Sequence, residues 1–176
     1  GDFLTLNYFS VVPDIAADIA DANALRAFYR TMAESNQVAM LAVDPFLLVG
    51  LPAVRSILKA RMEPRGFAFI GSYTLPFSDH SFVIKVQSME HGITGIRETA
   101  VMMMQSAPLE SDEVTGKLTG WEQDPYDPGY RGAFMCNQAD DPKHDAIFPE
   151  HPLSKVRHYL REIGTELEMT ASIRAG

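Results

Sequence analysis

Apolar positions along this chain recur with two different periods. In "FLTLNYFSVV" (3–12) β-branched and aromatic residues dominate, which predicts a first strand ended by Pro13. In "DIAADIADANALRAFYRTMAES" (14–35) alanine is frequent, and Leu25, Phe28, Tyr29 and Met32 recur at three- and four-residue steps. That spacing predicts a helix, with Asp14 as its cap and Asp18 and Asp21 in its early turns. "QVAMLAVD" then reads as a short, largely buried strand.

Between residues 50 and 62 the two periods compete. Val54, Ile57, Leu58 and Arg61 fit a helical face, whereas strict alternation over the same residues fits a two-sided strand. The turn-forming "MEPRG" and the strand-like "FAFIGSYTLPF" that follow favour a hairpin. "SFVIKVQSME" places Phe82, Ile84 and Val86 on one face and Val83, Lys85 and Gln87 on the other. "GITGIRETAVMMM" fits a helix capped by Thr94 or a strand equally well. "HPLSKVRHYLREIGTELE" predicts a last helix, with Pro152 in its first turn and Leu153, Val156, Leu160 and Ile163 on its buried face.

Consecutive strands joined by short turns pair antiparallel. The pattern therefore predicts an α+β fold. We expect a two-layer sandwich, in which an antiparallel sheet of about four to six strands is covered on one face by the early helix and the C-terminal helix. No strand–helix alternation or GxGxxG fingerprint supports a dinucleotide fold.

Composition changes this picture in one region. Residues 106–150 hold ten acidic and three basic residues, a net of −7 against −8 for the whole chain of 176. Pro and Gly interrupt this stretch, so it reads as a long irregular connection inside a single domain. A short strand at "GKLTGW" and an apolar wrap through Trp121, Tyr126, Tyr130 and Phe134 are expected within it. Net acidity without a basic stripe argues against nucleic acid as a partner. No run of 18 apolar residues exists, so no membrane-spanning helix is expected. One cysteine, Cys136, excludes an intrachain disulfide. The chain begins without methionine. A soluble, cytoplasmic protein is favoured, and a processed secreted or periplasmic chain fits as well.

Candidate chemistry concentrates in "EHGITGIRE" (90–98). Backbone N–H groups around Gly95 at a helix start, with Arg97 adding charge, can hold a carboxylate or phosphate. Thr94, Glu98 and His91 complete this candidate ligand-binding group. The structural alternative is a turn whose Arg97 pairs with Glu90, Glu98 or an acidic residue of the long connection. Asp140, Asp141, His144, Asp145, Glu150 and His151 supply metal-type donors, but without an HExxH or EF-hand pattern. No metal and no cofactor are expected. Cys136, flanked by apolar residues, reads as an inert buried thiol. The row Phe67, Phe69 and Tyr73 would wall an apolar pocket if the covering helices leave a gap.

The expected function is a non-enzymatic small binding or interaction domain. Its partner would be a small molecule or a protein, and Trp121, Tyr126 and Tyr130 form its candidate interaction surface. The alternative is a small hydrolase or lyase with a site near His91, Arg97 and Glu98. Self-association as a homo-oligomer is a third reading, through an apolar patch at "VMMM" or "FLLVG".

Overall fold

The computed structural model describes residues 1–105, 110–113, 116 and 118–168. Five strands, β1 (Phe3–Phe9), β2 (Ala39–Leu48), β3 (Leu51–Arg61), β4 (Phe67–Pro76) and β5 (Ser81–Met89), form one antiparallel sheet in the order β1-β5-β4-β3-β2. Three helices, α1 (Ala22–Ser35), α2 (Ile96–Met103) and α3 (Pro152–Glu166), complete an α+β sandwich. Two-residue strands β6 (Glu122–Gln123) and β7 (Cys136–Asn137) pair with each other inside the long connection. Of the strand expected over 116–121, Lys117 lies outside the described residues, and Leu118 makes a single bridge to Ser111. No helix among the described residues is long and apolar enough to cross a membrane.

The competition between periods over 50–62 is resolved as β3, paired to β2 and β4 along its length. Its two-sided alternation has a direct consequence. Val54 packs with Met40 and Val43 beneath Leu25 and Tyr29 of α1. Ala53 and Ile57 point the other way, with Phe69, Tyr73, Ile84 and Val86 beneath Leu153, Val156 and Leu160 of α3. The two helices therefore cover opposite faces rather than sharing one, because β2 and β3 are apolar on both sides. Under β4 and β5 the face opposite α3 carries half-buried Ile70, Ser72, Thr74, Lys85 and Gln87, so that part is two layers deep. A register shift between Met40 and Ala42 lets β2 serve both cores.

Helix α1 starts seven residues later than the Ala-rich run suggests. Asp21 caps it by accepting the Asn23 and Ala24 N–H groups, at 2.9 and 3.1 Å. Upstream, Asp18 accepts the Ala20 N–H and forms a turn that competes with helix. Helix α3 starts at Pro152 as expected, with His151 as its cap.

Close approach fixes where α3 crosses the sheet. A Cβ built on Gly71 would lie 2.6 Å from Val156 Cγ1 and 2.7 Å from Leu160 Cδ1. At Gly164 such a carbon would lie 2.7 Å from the Tyr73 hydroxyl, which donates to Leu160 O at 2.9 Å. We expect Gly71→Ala to destabilise the fold by about 1–3 kcal/mol through overpacking, measured by urea denaturation.

Candidate functional site

The stretch 90–98 folds as a turn that the Glu90 carboxylate holds together. One of its oxygens accepts the Phe67 N–H and the other the Gly95 N–H, both at 2.9 Å. Gly95, at φ 74°, is the N-cap of α2, and no side chain caps that helix. Thr94 instead packs over Gly66. His91 is exposed, its Nε2 2.6 Å from the amino group of Gly1.

Arg97 turns inward and is 1% exposed. It donates to Ala139 O (2.6 Å), Ser154 Oγ (2.8 Å), Asp141 O (3.1 Å) and Asp145 Oδ1 (2.9 Å). All of these acceptors lie in the 139–154 segment, so the guanidinium ties α2 to the connection and to the start of α3. Arg157 of α3 shares Asp145 at 2.8 Å and also donates to Asp140 O. Lys59 of β3 is fully buried. Its ammonium meets both Asp140 oxygens at 3.1 Å and Glu98 Oε1 at 3.3 Å, and lies over the Phe67 ring. Asp140 is itself oriented by the Asn137 N–H at 2.9 Å.

The acidic and histidine residues that suggested a metal are mostly committed elsewhere. Asp140 faces Lys59, Asp145 faces Arg97 and Arg157, Asp141 pairs with Lys143, and Glu150 pairs with Lys155. Burial, with Lys143 and Arg97 nearby, lowers the His144 pKa and keeps that ring neutral at pH 7. His151 is different, because it meets Glu90 and Glu98. The donor atoms of these three lie within 4.8 Å of one another. Glu98 Oε2 and His151 Nε2 are buried without a hydrogen-bond partner. His151 Nδ1 accepts the Leu153 N–H at 3.2 Å, which assigns the proton of the neutral ring to Nε2. That nitrogen lies 3.8 Å from Glu90 Oε1. A metal bound through Nε2 would have to displace this proton while Nδ1 remains an acceptor. The trio is therefore better suited to sharing a proton or a water than to ligating a cation. A hollow of about 550 Å³ beside it is lined by Glu90, His91, Arg97 and His151.

On the other side of this charged wall lies a larger cleft of about 670 Å³, between β2–β3, the 123–142 segment and the last turns of α3. Leu41, Phe46, Ile57, Tyr73 and Leu160 form an apolar floor, and Arg55, Arg157 and Arg161 stand around it. Arg55 gives one amino group to Asp44 Oδ2 at 3.1 Å, and its Nε is buried without a partner. Arg161 meets only His158 Nδ1, at 3.1 Å, among the described residues. Cys136 also lines the cleft. Burial first, then Asp140 and Asp124, push its thiol up to about 12, so it is not a nucleophile at neutral pH.

The aromatic residues of the connection face their own protein. Trp121 is buried with Val101 and Ala139. The Tyr126 hydroxyl donates to Asp44 at 3.2 Å and accepts the Val43 N–H at 2.8 Å, while Arg26 stacks 3.7 Å over its ring. Tyr130 donates to Glu34 under Arg30, and Arg30 pairs with Asp124 at 2.9 Å. The cleft went unseen in the sequence because Arg55 of β3 is separated by most of the chain from Arg157 and Arg161, which are neighbours on α3. One signal was the row Phe67, Phe69 and Tyr73, of which Tyr73 does line the cleft.

Two outcomes follow from the charged wall. Replacing Arg97 with Ala removes the donor to Ala139 O, Asp141 O and Ser154 Oγ and leaves Asp145 to Arg157 and Ser154; it should cost about 1–3 kcal/mol in urea denaturation. Burial pushes the Glu90 carboxyl up, but His151 and the Gly95 and Phe67 N–H groups outweigh this, so its pKa lies below the ordinary value. Its stabilisation is therefore complete above the unfolded pKa of about 4.3 and lost as pH falls through the lower folded value. The stability difference between wild type and Glu90→Gln should be constant near neutrality and shrink only under acid, followed by denaturation at a series of pH values.

No family model, curated protein or solved structure matches the chain. A functional reading therefore rests on this geometry.

Proposed function

We propose that the protein is a non-enzymatic binding domain and that its ligand is a small amphipathic anion seated in the cleft between β2–β3 and α3. The observation that carries this reading is the pairing of an apolar floor with arginines whose donors are not all used. A volume of about 670 Å³ suits a small organic molecule. Leu41, Ile57 and Tyr73 would bury its hydrocarbon part, while Arg161 and the free side of Arg55 would meet a carboxylate, sulfonate or phosphate. Asp140 and Asp141 also line the cleft, but they face Lys59 and Lys143, so against a net charge of −8 its three arginines would direct anions to one place.

A second reading, a hydrolase or lyase, draws on the convergence of Glu90, Glu98 and His151 beside their hollow. It keeps Glu98 from the candidates named in the sequence and replaces His91 with His151. Arg97, saturated by four acceptors, would then position the wall rather than touch a substrate.

The probes are 1-anilinonaphthalene-8-sulfonate, followed by fluorescence, and decanoate, followed by calorimetry. Saturable binding of one equivalent is expected. Arg161→Ala should weaken it by about tenfold, the equivalent of about 1.4 kcal/mol, without changing stability. Ala42→Trp, which fills the floor, should abolish it. Binding that ignores both substitutions, or no binding, would overturn the cleft reading.

A further inference from the structure

β1 is the least protected element of the molecule. It closes one edge of the sheet, paired to β5 on one side only, so a row of backbone N–H and C=O groups faces outward. Its side chains are also uncovered: Leu4 is 66% exposed, Leu6 70%, Tyr8 59%, Phe3 54% and Phe9 47%. Edge strands are usually blunted by charges, prolines or bulges. Residues 3–12 contain no charged residue and no proline, and the pairing with β5 runs from Phe3 to Phe9 without a bulge.

The identity of the missing neighbour is written in the strand itself. "FLTLNYF" read backwards is "FYNLTLF". A two-fold axis through Leu6 sets Phe3 against Phe9 of the second copy, Leu4 against Tyr8, Thr5 against Asn7, and Leu6 against itself. Every pair joins like with like. Leu4, Leu6 and Tyr8 lie opposite Val86, Ile84 and Phe82, on the sheet face that α3 covers. Phe3, Thr5, Asn7 and Phe9 share the other face. Antiparallel pairing about Leu6 preserves these faces, so each face of the junction stays self-complementary, as a two-fold interface requires.

We propose that two copies of this chain join β1 to β1, antiparallel about Leu6, into one continuous ten-stranded sheet. The junction would extend into an apolar groove of about 290 Å³ between β1 and α3, lined by Leu4, Val86, Tyr159 and Ile163. Each of the five large side chains offers roughly 100 Å² to a partner, so two copies bury on the order of 1,000 Å² in all, the lower end for a specific interface. The dimer is therefore concentration-dependent.

Light scattering across a concentration series tests this. The expected mass rises from 19.5 kDa to twice that value. Leu6→Lys places two ammonium groups on the axis and should leave a monomer at every concentration, with an unchanged circular dichroism spectrum. A charge exchange reads the register. A chain carrying Thr5→Lys and Asn7→Lys, and another carrying Thr5→Asp and Asn7→Asp, should each be monomeric alone and form a heterodimer when mixed. A wild-type monomer throughout, a Leu6→Lys dimer, or charged chains that do not combine would each overturn the proposal.

Discussion

A buried ammonium group organises much of this molecule. Lys59 sits on the interior strand β3, fully covered, and a charge taken out of water costs several kcal/mol unless it is matched closely. Asp140 and Glu98 supply the match, and they come from the irregular connection and from α2. Both segments must therefore return to the same patch of sheet. The connection, whose described residues form only short strands and turns, is anchored where the electrostatics are most demanding.

The same logic continues outward from that point. Asp140 is oriented by the Asn137 N–H of its own turn, and its backbone oxygen takes a donor from Arg157. Arg157 shares Asp145 with Arg97, and Arg97 locks α2 to the beginning of α3. A second, smaller junction does similar work at the other edge. There Asp44 receives Arg26 and Arg55, and Tyr126 bridges to it from the connection. Asp124, Asp140 and Asp145 of the acidic stretch thus work as a strap, pairing with arginines and a lysine on the helices and the sheet. Removing residues 122–145 would strip Asp124, Asp140 and Asp145 from four buried or half-buried cations, Arg30, Lys59, Arg97 and Arg157. The segment covers the core rather than standing free as a recognition loop.

Among the described residues, two surfaces unused by the fold stand out. One is the cleft beside the wall, where α3 runs past the sheet and arginine donors remain over an apolar floor. The other is the outer edge of β1, where no helix reaches. The methionines at the end of α2 and Leu47 are also exposed, but neither combines an open backbone edge with a self-complementary row of side chains.

The sequence by itself determined the elements whose signals are local. Alternation marked β4 and β5, the Leu153–Val156–Leu160 spacing marked α3, and short turns between strands implied antiparallel pairing. Asp14 was a poorer guide than Asp21, since several aspartates can cap and only the one at the true helix start has its N–H groups free. Whether 51–61 was helix or strand depended on neighbours on both sides, and so did the placement of α1 and α3 on opposite faces. Arg97 and Glu98 were legible as important, and an acidic residue of the long connection was among the expected partners of Arg97, but which one was not. Asp145, Ser154 and Lys59 are tens of residues away, and a hydrogen bond has no preferred separation in sequence. Tertiary structure alone chose His151 over His91 as the ring beside Glu90. His91 follows Glu90 directly but stays in solvent, whereas His151 is held in place by capping the helix that crosses the sheet. Sequence periodicity reports which residues are buried, and only the folded chain reports against what.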